Sequence, residues 1–445
     1  MTFNDLNINT PLRNALEDLA LTAPTPIQVE AFPVLMSGRD VVGIAQTGTG
    51  KTFAYLLPIL RQLKFSKQKH PRVLIVVPTR ELVVQVMGEI EKLAAYMSVR
   101  VKGAYGGVNM NTQKDVLAEG MDILVATPGR LLDLALSRGV KLKSIKQLVI
   151  DEVDEMLNLG FRKQLNDLLE LLPERRQNIL FSATMTKEVA LLVDNVFENP
   201  HKIEIAASGT SADGITQKMY LVPNFNTKVN LLSLLLGEEP RWEKVLVFAP
   251  TKKIADYLFD VLDEQFRGEI GVIHSNKSQN YRIRTVENFN NGTHRVLLAT
   301  DLIARGLDFD AVTHVINIDT PDEPENYIHR VGRTARGDAE GQAITFVSEV
   351  EVSEELVYLA AIERLMRLKL ERLTLPQNLT TSTELREDEL VVYKQKNAVP
   401  NKDLLKASHG AYHDKKAKNL KVNRAQEKRL ARKREKYNSK KRGKK

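Results

Sequence analysis

The chain has 445 residues, of which 43% are hydrophobic and 27% charged, ordinary values for a folded protein and enough chain for two or three cores. It contains no cysteine, which excludes disulfides, cysteine-ligated zinc, iron–sulfur clusters and thiol catalysis. The formal charge of +8 hides a division: residues 394–445 carry 20 Lys and Arg against four acids, which leaves 44 basic and 52 acidic residues in 1–393.

The opening Met1-Thr-Phe-Asn-Asp-Leu-Asn lacks the basic and apolar regions of a secretory leader. Nothing later approaches 18 consecutive apolar residues, so a cytoplasmic protein with no membrane partner is expected. From residue 30 to 205, short apolar runs (40–45, 72–77, 122–126, 147–150 and 178–181) alternate with stretches of helical periodicity such as 81–95 and 161–172. Runs that are apolar throughout suit strands buried on both faces, and their alternation with helices predicts a parallel α/β sheet. The pattern fades over 206–214, whose Ala, Ser, Thr and Gly suit a linker. It restarts with runs at 244–248, 271–274, 295–299, 312–318 and 342–347. The expected organisation is one α/β domain over 1–206, a linker over 207–214, a second α/β domain over 215–373, and an extension over 374–445 that ends in a basic, disordered tail. Such a tail, poor in apolar residues, is expected to tether a polyanion by charge.

After the first run comes Ala45, Gln46, Thr47, Gly48, Thr49, Gly50, Lys51 and Thr52. Glycines let the backbone curl so that its N–H groups point at phosphate oxygens. Lys51 places a charge on the β- and γ-phosphates, and the Thr52 hydroxyl can ligate Mg²⁺. The strict pattern has Gly where Ala45 stands. One hundred residues later, Asp151-Glu-Val-Asp154 follows a strand. Asp151 at a strand end can hold the Mg²⁺ water shell, and Glu152 can orient and deprotonate a water. An Arg-rich run, His329-Arg-Val-Gly-Arg-Thr-Ala-Arg336, can neutralise charge on a γ-phosphoryl group when a second domain closes on the first.

Taken together and in order, these residues resemble the DEAD-box RNA helicases, with Asp-Glu-Val-Asp in place of Asp-Glu-Ala-Asp, over about residues 3–370. The resemblance implies two tandem RecA-like domains, ATP and Mg²⁺ as cofactors, and RNA as partner with little sequence preference. Ribonucleoprotein and ribosome-assembly partners are roles within that family. Pro24-Thr-Pro-Ile-Gln28 is similar to the family's Q motif, which implies that Gln28 and the upstream Phe3 serve the adenine subsite. Ala20 and Leu21 stand where the family usually has glycine and an aromatic ring. The resemblance further implies that Thr79, Arg80, Gly106, Gly107, Thr127, Gly129 and Arg130 contact RNA from the first domain. It assigns the same task in the second to Thr251, Gln279, Arg282, Thr300, Asp301 and Gly306. Ser182, Ala183, Thr184 and Asp154 would couple the two sites, and Asp308 would bind the ribose. Arg333 and Arg336 would be arginine fingers, and His329 would link toward Asp154. His274-Ser-Asn-Lys277 departs from the usual His-Gly-Asp-Lys.

The expected activity is RNA-stimulated ATP hydrolysis with local separation of short duplexes. An ATP-gated RNA clamp shares every one of these motifs. A DNA-directed helicase of the same superfamily is disfavoured by the Q motif.

Overall fold

A computed structural model describes residues 1–46, 48–205, 215–238, 242–301, 309, 312–334, 341–349, 354–386 and 389. The expected linker, the basic tail, Thr47, Gly306, Asp308 and Arg336 lie outside the described residues.

Two sheets of seven parallel strands lie in one compact unit that ends at Leu385. The first contains β1 (Val41–Ile44), β2 (Val73–Val76), β3 (Val101–Ala104), β4 (Ile123–Ala126), β5 (Gln147–Ile150), β6 (Gln177–Ser182) and β7 (His201–Glu204). Their spatial order is 3-4-2-5-6-1-7. The second contains β8 (Ile215–Val222), β9 (Val245–Phe248), β10 (Ile270–Ile273), β11 (Val296–Ala299), β12 (His314–Asn317), β13 (Gly341–Ser348) and β14 (Glu371–Leu373). Its order, 10-11-9-12-13-8-14, is the first order with seven added to every strand. The two lobes therefore share one topology.

Alternation along each central strand feeds a core on each face of its sheet. Val73 and Ile75 join one cluster while Leu74 and Val76 join the other, and Val245 and Val247 face away from Leu246 and Phe248. Both faces are covered by helices, which is why these strands read as continuous apolar runs. All strand neighbours are parallel, so every strand's C-terminal end lies along the same edge of its sheet. Loops at that edge carry the site residues, as open parallel sheets generally arrange them.

The second lobe continues past residue 373. Leu375 and Leu379 pack on its core. Asn230 Nδ2 donates to the Thr380 carbonyl (2.8 Å), Asn226 Nδ2 to that of Glu384 (3.0 Å), and the Ser382 N–H donates to Thr227 Oγ1 (3.0 Å). Among the described residues, no helix is long and apolar enough to cross a membrane.

Candidate functional site

The turn after β1 is held open by glycines. Gly48 and Gly50 both adopt left-handed backbone (φ +83° and +86°), and the helix Lys51–Gln62 starts immediately after. A Cβ on Gly50 would strike Gln28 Nε2 and crowd Thr25, and the left-handed backbone there favours glycine in any case. The Thr49 hydroxyl ties the turn by donating to the Gln46 carbonyl (2.7 Å). Gln28 is nearly buried. Its Oε1 accepts from the Thr25 N–H (3.1 Å) at the start of the helix Pro26–Met36, and its Nε2 donates to the Gly50 carbonyl (3.2 Å). The Q motif thus braces the phosphate turn directly. Ala20 sits in the left-handed region (φ +54°), which explains why glycine suits that position.

β5 delivers the acidic group. Asp151 is buried at its end; Oδ2 accepts from the Tyr55 hydroxyl (2.9 Å) and Oδ1 from the Glu152 N–H (2.9 Å). Burial and the charge of Glu152 push the Asp151 carboxyl up to about 6, against the pull of Lys51. Glu152 has left-handed backbone (φ +52°), a strained conformation for a residue with a side chain and of a kind concentrated at functional sites. Its Oε1 lies 2.9 Å from Lys51 Nζ. Burial opposes charge on Lys51, but Glu152, Asp151 and Asp154 outweigh it and hold the ammonium protonated.

Asp154 connects this group to β6 and to the second lobe. Its Oδ2 accepts from the Thr184 N–H (3.0 Å) and hydroxyl (2.9 Å), and lies 4.0 Å from His329 Nε2. The Ser182 hydroxyl donates to the Thr184 carbonyl (2.8 Å). Burial works against the Asp154 charge, but His329 and Lys51 hold its carboxyl below the usual range. Arg333 is buried, and its Nε donates to the His329 carbonyl (3.2 Å). A cavity of about 380 Å³ is lined by Phe3, Leu21, Gln28, Gly48, Gly50, Lys51, Thr52, Asp151 and Glu152 of the first lobe and by Arg333 of the second.

This cavity fits a nucleotide triphosphate with its metal. Its cradle is closed to any Cβ at Gly50, a buried ammonium faces the phosphate turn, and Thr52 and Asp151 offer the oxygen ligands that Mg²⁺ prefers. Among the described residues no group of three or more His, Asp or Glu could hold a metal alone. That is expected where Mg²⁺ takes one or two protein ligands and completes its shell with phosphate and water.

A second row lies along the strand ends. Thr79 caps the helix Arg80–Leu93 by accepting from the Leu82 N–H (3.3 Å), and Thr251 caps Lys252–Gln265 by accepting from the Ile254 N–H (3.2 Å). Thr127 opens the helix Pro128–Leu136. A Cβ at Gly106 or Gly129 would meet open space, whereas one at Gly107 would strike Arg80 Nη1. Thr300 ends this row at the C-terminal edge of β11. Besides the two capping threonines, four of the expected RNA contacts, Arg130, Gln279, Arg282 and Asp301, have side-chain partners within the chain. Arg130 Nη1 donates to the Val108 carbonyl (2.9 Å) and to Gln113 Oε1 (2.7 Å). Arg282, bonded to Gln279, reaches across the lobes to Glu81 Oε1 (2.8 Å). Asp301 is held by Arg330. The sequence reading missed Tyr55 and Arg330. Tyr55 sits in an apolar helix and reads as core, and Arg330 is one arginine in a cluster of three.

The family profile of DEAD/DEAH box helicases matches residues 25–192, and that of the helicase conserved C-terminal domain matches residues 227–338. The DEAD-box ATP-dependent RNA helicase CshA of Streptococcus pneumoniae is 39% identical over 377 residues, covering 84% of this chain and 70% of that relative. CshA of Bacillus cereus is 36% identical over 405 residues, 91% of this chain and 75% of the relative. Among solved structures, Dbp5 of S. cerevisiae bound to RNA and ADP·BeF₃ superposes with a TM-score of 0.77 at 27% identity, covering 88% of this chain and 99% of Dbp5. With two lobes of one topology, a phosphate turn on the first and an arginine brought to it from the second, the chain belongs to the DEAD-box helicases.

Proposed function

We propose that this protein is an RNA-stimulated ATPase that closes its two lobes on ATP·Mg²⁺ and RNA, separates short duplexes locally, and releases RNA after hydrolysis. The observation that carries this reading is Arg333 of the second lobe lining one cavity with Lys51, Asp151 and Glu152 of the first. An arginine that reaches the phosphates only when the lobes meet makes closure and charge stabilisation one event. Mg²⁺, held through Thr52 and Asp151 partly by way of water, supplies charge neutralisation on the phosphates. Glu152 orients and deprotonates the attacking water, Lys51 holds the β- and γ-phosphates, and Gln28 with Phe3 receives the base. Arg333 and Arg336 stabilise the transferring phosphoryl group, His329 and Asp154 join the lobes, and Asp308 takes the ribose.

Along the other row, Thr79, Gly106, Thr127, Gly129, Thr251, Thr300 and Gly306 meet the RNA backbone. Contacts of this kind position a strand without reading its bases, and the 2′-OH distinguishes RNA from DNA. The 20 basic residues of 394–445 add a sequence-independent attraction worth roughly 0.7 in the slope of log affinity against log salt for each phosphate neutralised. The absence of a membrane-crossing helix among the described residues fits work on RNA in the cytoplasm.

The test measures ATP turnover with no nucleic acid, with single-stranded RNA and with DNA, in the parent and in Glu152→Gln. RNA alone should stimulate the parent. Glu152→Gln should bind ATP and RNA but hydrolyse at least about 10²-fold more slowly, as expected on losing a catalytic base. Stimulation by DNA equal to that by RNA, or turnover in Glu152→Gln near that of the parent, would overturn the reading. A strand-displacement assay on a short RNA duplex separates a helicase from an ATP-gated clamp.

A further inference from the structure

Arg330 is the largest fully buried side chain in the second lobe, and it lies beside Arg333 without lining the nucleotide cavity. Its Nε and Nη2 donate to the two oxygens of Asp301, each at 2.7 Å. Nη1 donates to the Asp319 carbonyl at 3.1 Å, and the guanidinium lies over the Phe248 ring, 5.2 Å from its centre. Four elements meet there: the segment leaving β11, the end of β12, the end of β9, and the helix Pro324–Val331. The two facing carboxylates outweigh burial and keep this arginine charged.

We propose that Arg330 is the positioning residue through which RNA bound along the second lobe acts on Arg333, because its fork locks Asp301, beside Thr300 at the end of β11, to the helix that carries His329. The inference rests on the function proposed above. A bidentate arginine–carboxylate pair fixes orientation as well as distance, and a buried cation cannot leave its carboxylate without a large penalty. Asp301 and the helix therefore shift together. Arg333 follows directly after that helix and is tied to the His329 carbonyl, so a displacement of the Thr300-Asp301 segment is handed on to both residues that face the first lobe. Displacements of about 1 Å at such a group alter rates by about 10²-fold. Asp301, on this view, spends its carboxylate on the finger helix.

The experiment measures coupling. In the full chain, the dissociation constant of AMP-PNP·Mg²⁺ is determined without RNA and at saturating short oligouridine, and that of the oligouridine with and without AMP-PNP. By linkage the two ratios are equal. A parent ratio of one would defeat the proposed function itself, whatever the variants do. Given a coupled parent, Arg330→Lys, which keeps charge but loses the fork, should lower the ratio at least about fivefold while each ligand's affinity measured alone stays within about twofold. Asp301→Asn should lower it similarly, and the double variant should lose no more than either single one. A folded Arg330→Lys or Asp301→Asn protein that melts earlier yet keeps the parent ratio would mean that the pair is only structural, and would overturn the proposal. So would Asp301→Asn losing oligouridine affinity in the absence of nucleotide while keeping the ratio, since Asp301 would then be an RNA ligand. If Arg330→Lys does not fold, Asp301→Asn decides, because Arg330 then retains Asp319 and the Phe248 ring.

Discussion

β1 and β8 occupy the same place in their sheets, yet the chain leaves them in different ways. After β1 it curls through two left-handed glycines and presents Lys51 to a cavity. After β8 it passes through Pro223 and Asn224 straight into the helix Phe225–Glu238, whose buried Lys228 pairs with Glu355 at 2.8 Å. Asn224 accepts from the Thr227 N–H (2.9 Å) and the Thr227 hydroxyl (2.8 Å), while Glu355 also accepts from the Ser348 N–H (3.1 Å) and the Thr320 hydroxyl (3.3 Å). The strand ends proposed to face RNA behave otherwise. Pro78-Thr79 after β2 matches Pro250-Thr251 after β9, and Thr127 after β4 matches Thr300 after β11. One topology thus keeps threonines after matching strands in both lobes but a glycine-rich turn before a lysine in only one. Both lysines pair with a carboxylate, Lys51 with Glu152 at the cavity and Lys228 with Glu355 inside the second lobe.

The lobes depend on each other most at Arg333, the residue by which the second lobe completes the first lobe's cavity. Arg333→Ala should slow RNA-stimulated turnover by on the order of 10³-fold with little change in ATP affinity, read from steady-state ATPase and nucleotide titration. A first-lobe fragment ending near residue 205 that hydrolysed ATP at the full-chain rate would contradict the assignment.

The two lysines sharpen the contrast between the lobes. Lys51→Met should abolish turnover and weaken ATP binding. Lys228→Met should instead destabilise the fold by about 3 kcal/mol, the lower end of the cost of breaking a buried pair, because Glu355 keeps two other donors. Denaturant melts and turnover per folded molecule should show opposite patterns for the two variants.

A chain stopped after Leu373 loses the packing of Leu375 and Leu379. A chain stopped after Arg386 keeps it. The shorter one should be less stable by about 2 kcal/mol, given two partly buried leucines, and comparison of their melting temperatures checks this.

The smallest expected effect is on acid stability. His314, stacked on Trp242 with centroids 4.2 Å apart, has its imidazole lowered by burial to about 4. Between an unfolded value of about 6.5 and that folded value, only the unfolded chain gains the proton. Stability is therefore lost as pH falls through this window and is constant below it. His314→Gln should remove about 1 kcal/mol of that loss, allowing for partial solvent screening, as measured by melts at pH 7 and pH 5.

The legibility of the fold followed burial. Central strands such as Val73–Val76 and Val245–Val247 are apolar on both faces and stand out as runs. Three of the four edge strands, β3, β7 and β14 (Val-Lys-Gly-Ala, His-Lys-Ile-Glu and Glu-Arg-Leu), are only partly buried and carry no such signal, whereas the fourth, β10, is buried throughout and does. β8 was hidden for another reason, because Thr216, Gln217 and Lys218 interrupt its apolar residues. The nucleotide site was readable because its glycines, lysine and paired acids are local in sequence. Tyr55 and Arg330 were not, since what distinguishes each is a partner far along the chain: Asp151 is 96 residues from Tyr55, and Asp301 is 29 from Arg330. The contacts of residues 380–384 with the second lobe were equally hidden, because they run through backbone groups.

The ion pair between Lys51 and Glu152 ties their two proposed roles together: the lysine proposed to hold phosphate is also the counter-ion of the carboxylate proposed as base. A substitution at either residue therefore changes the charge felt by the other, so neither role can be altered singly.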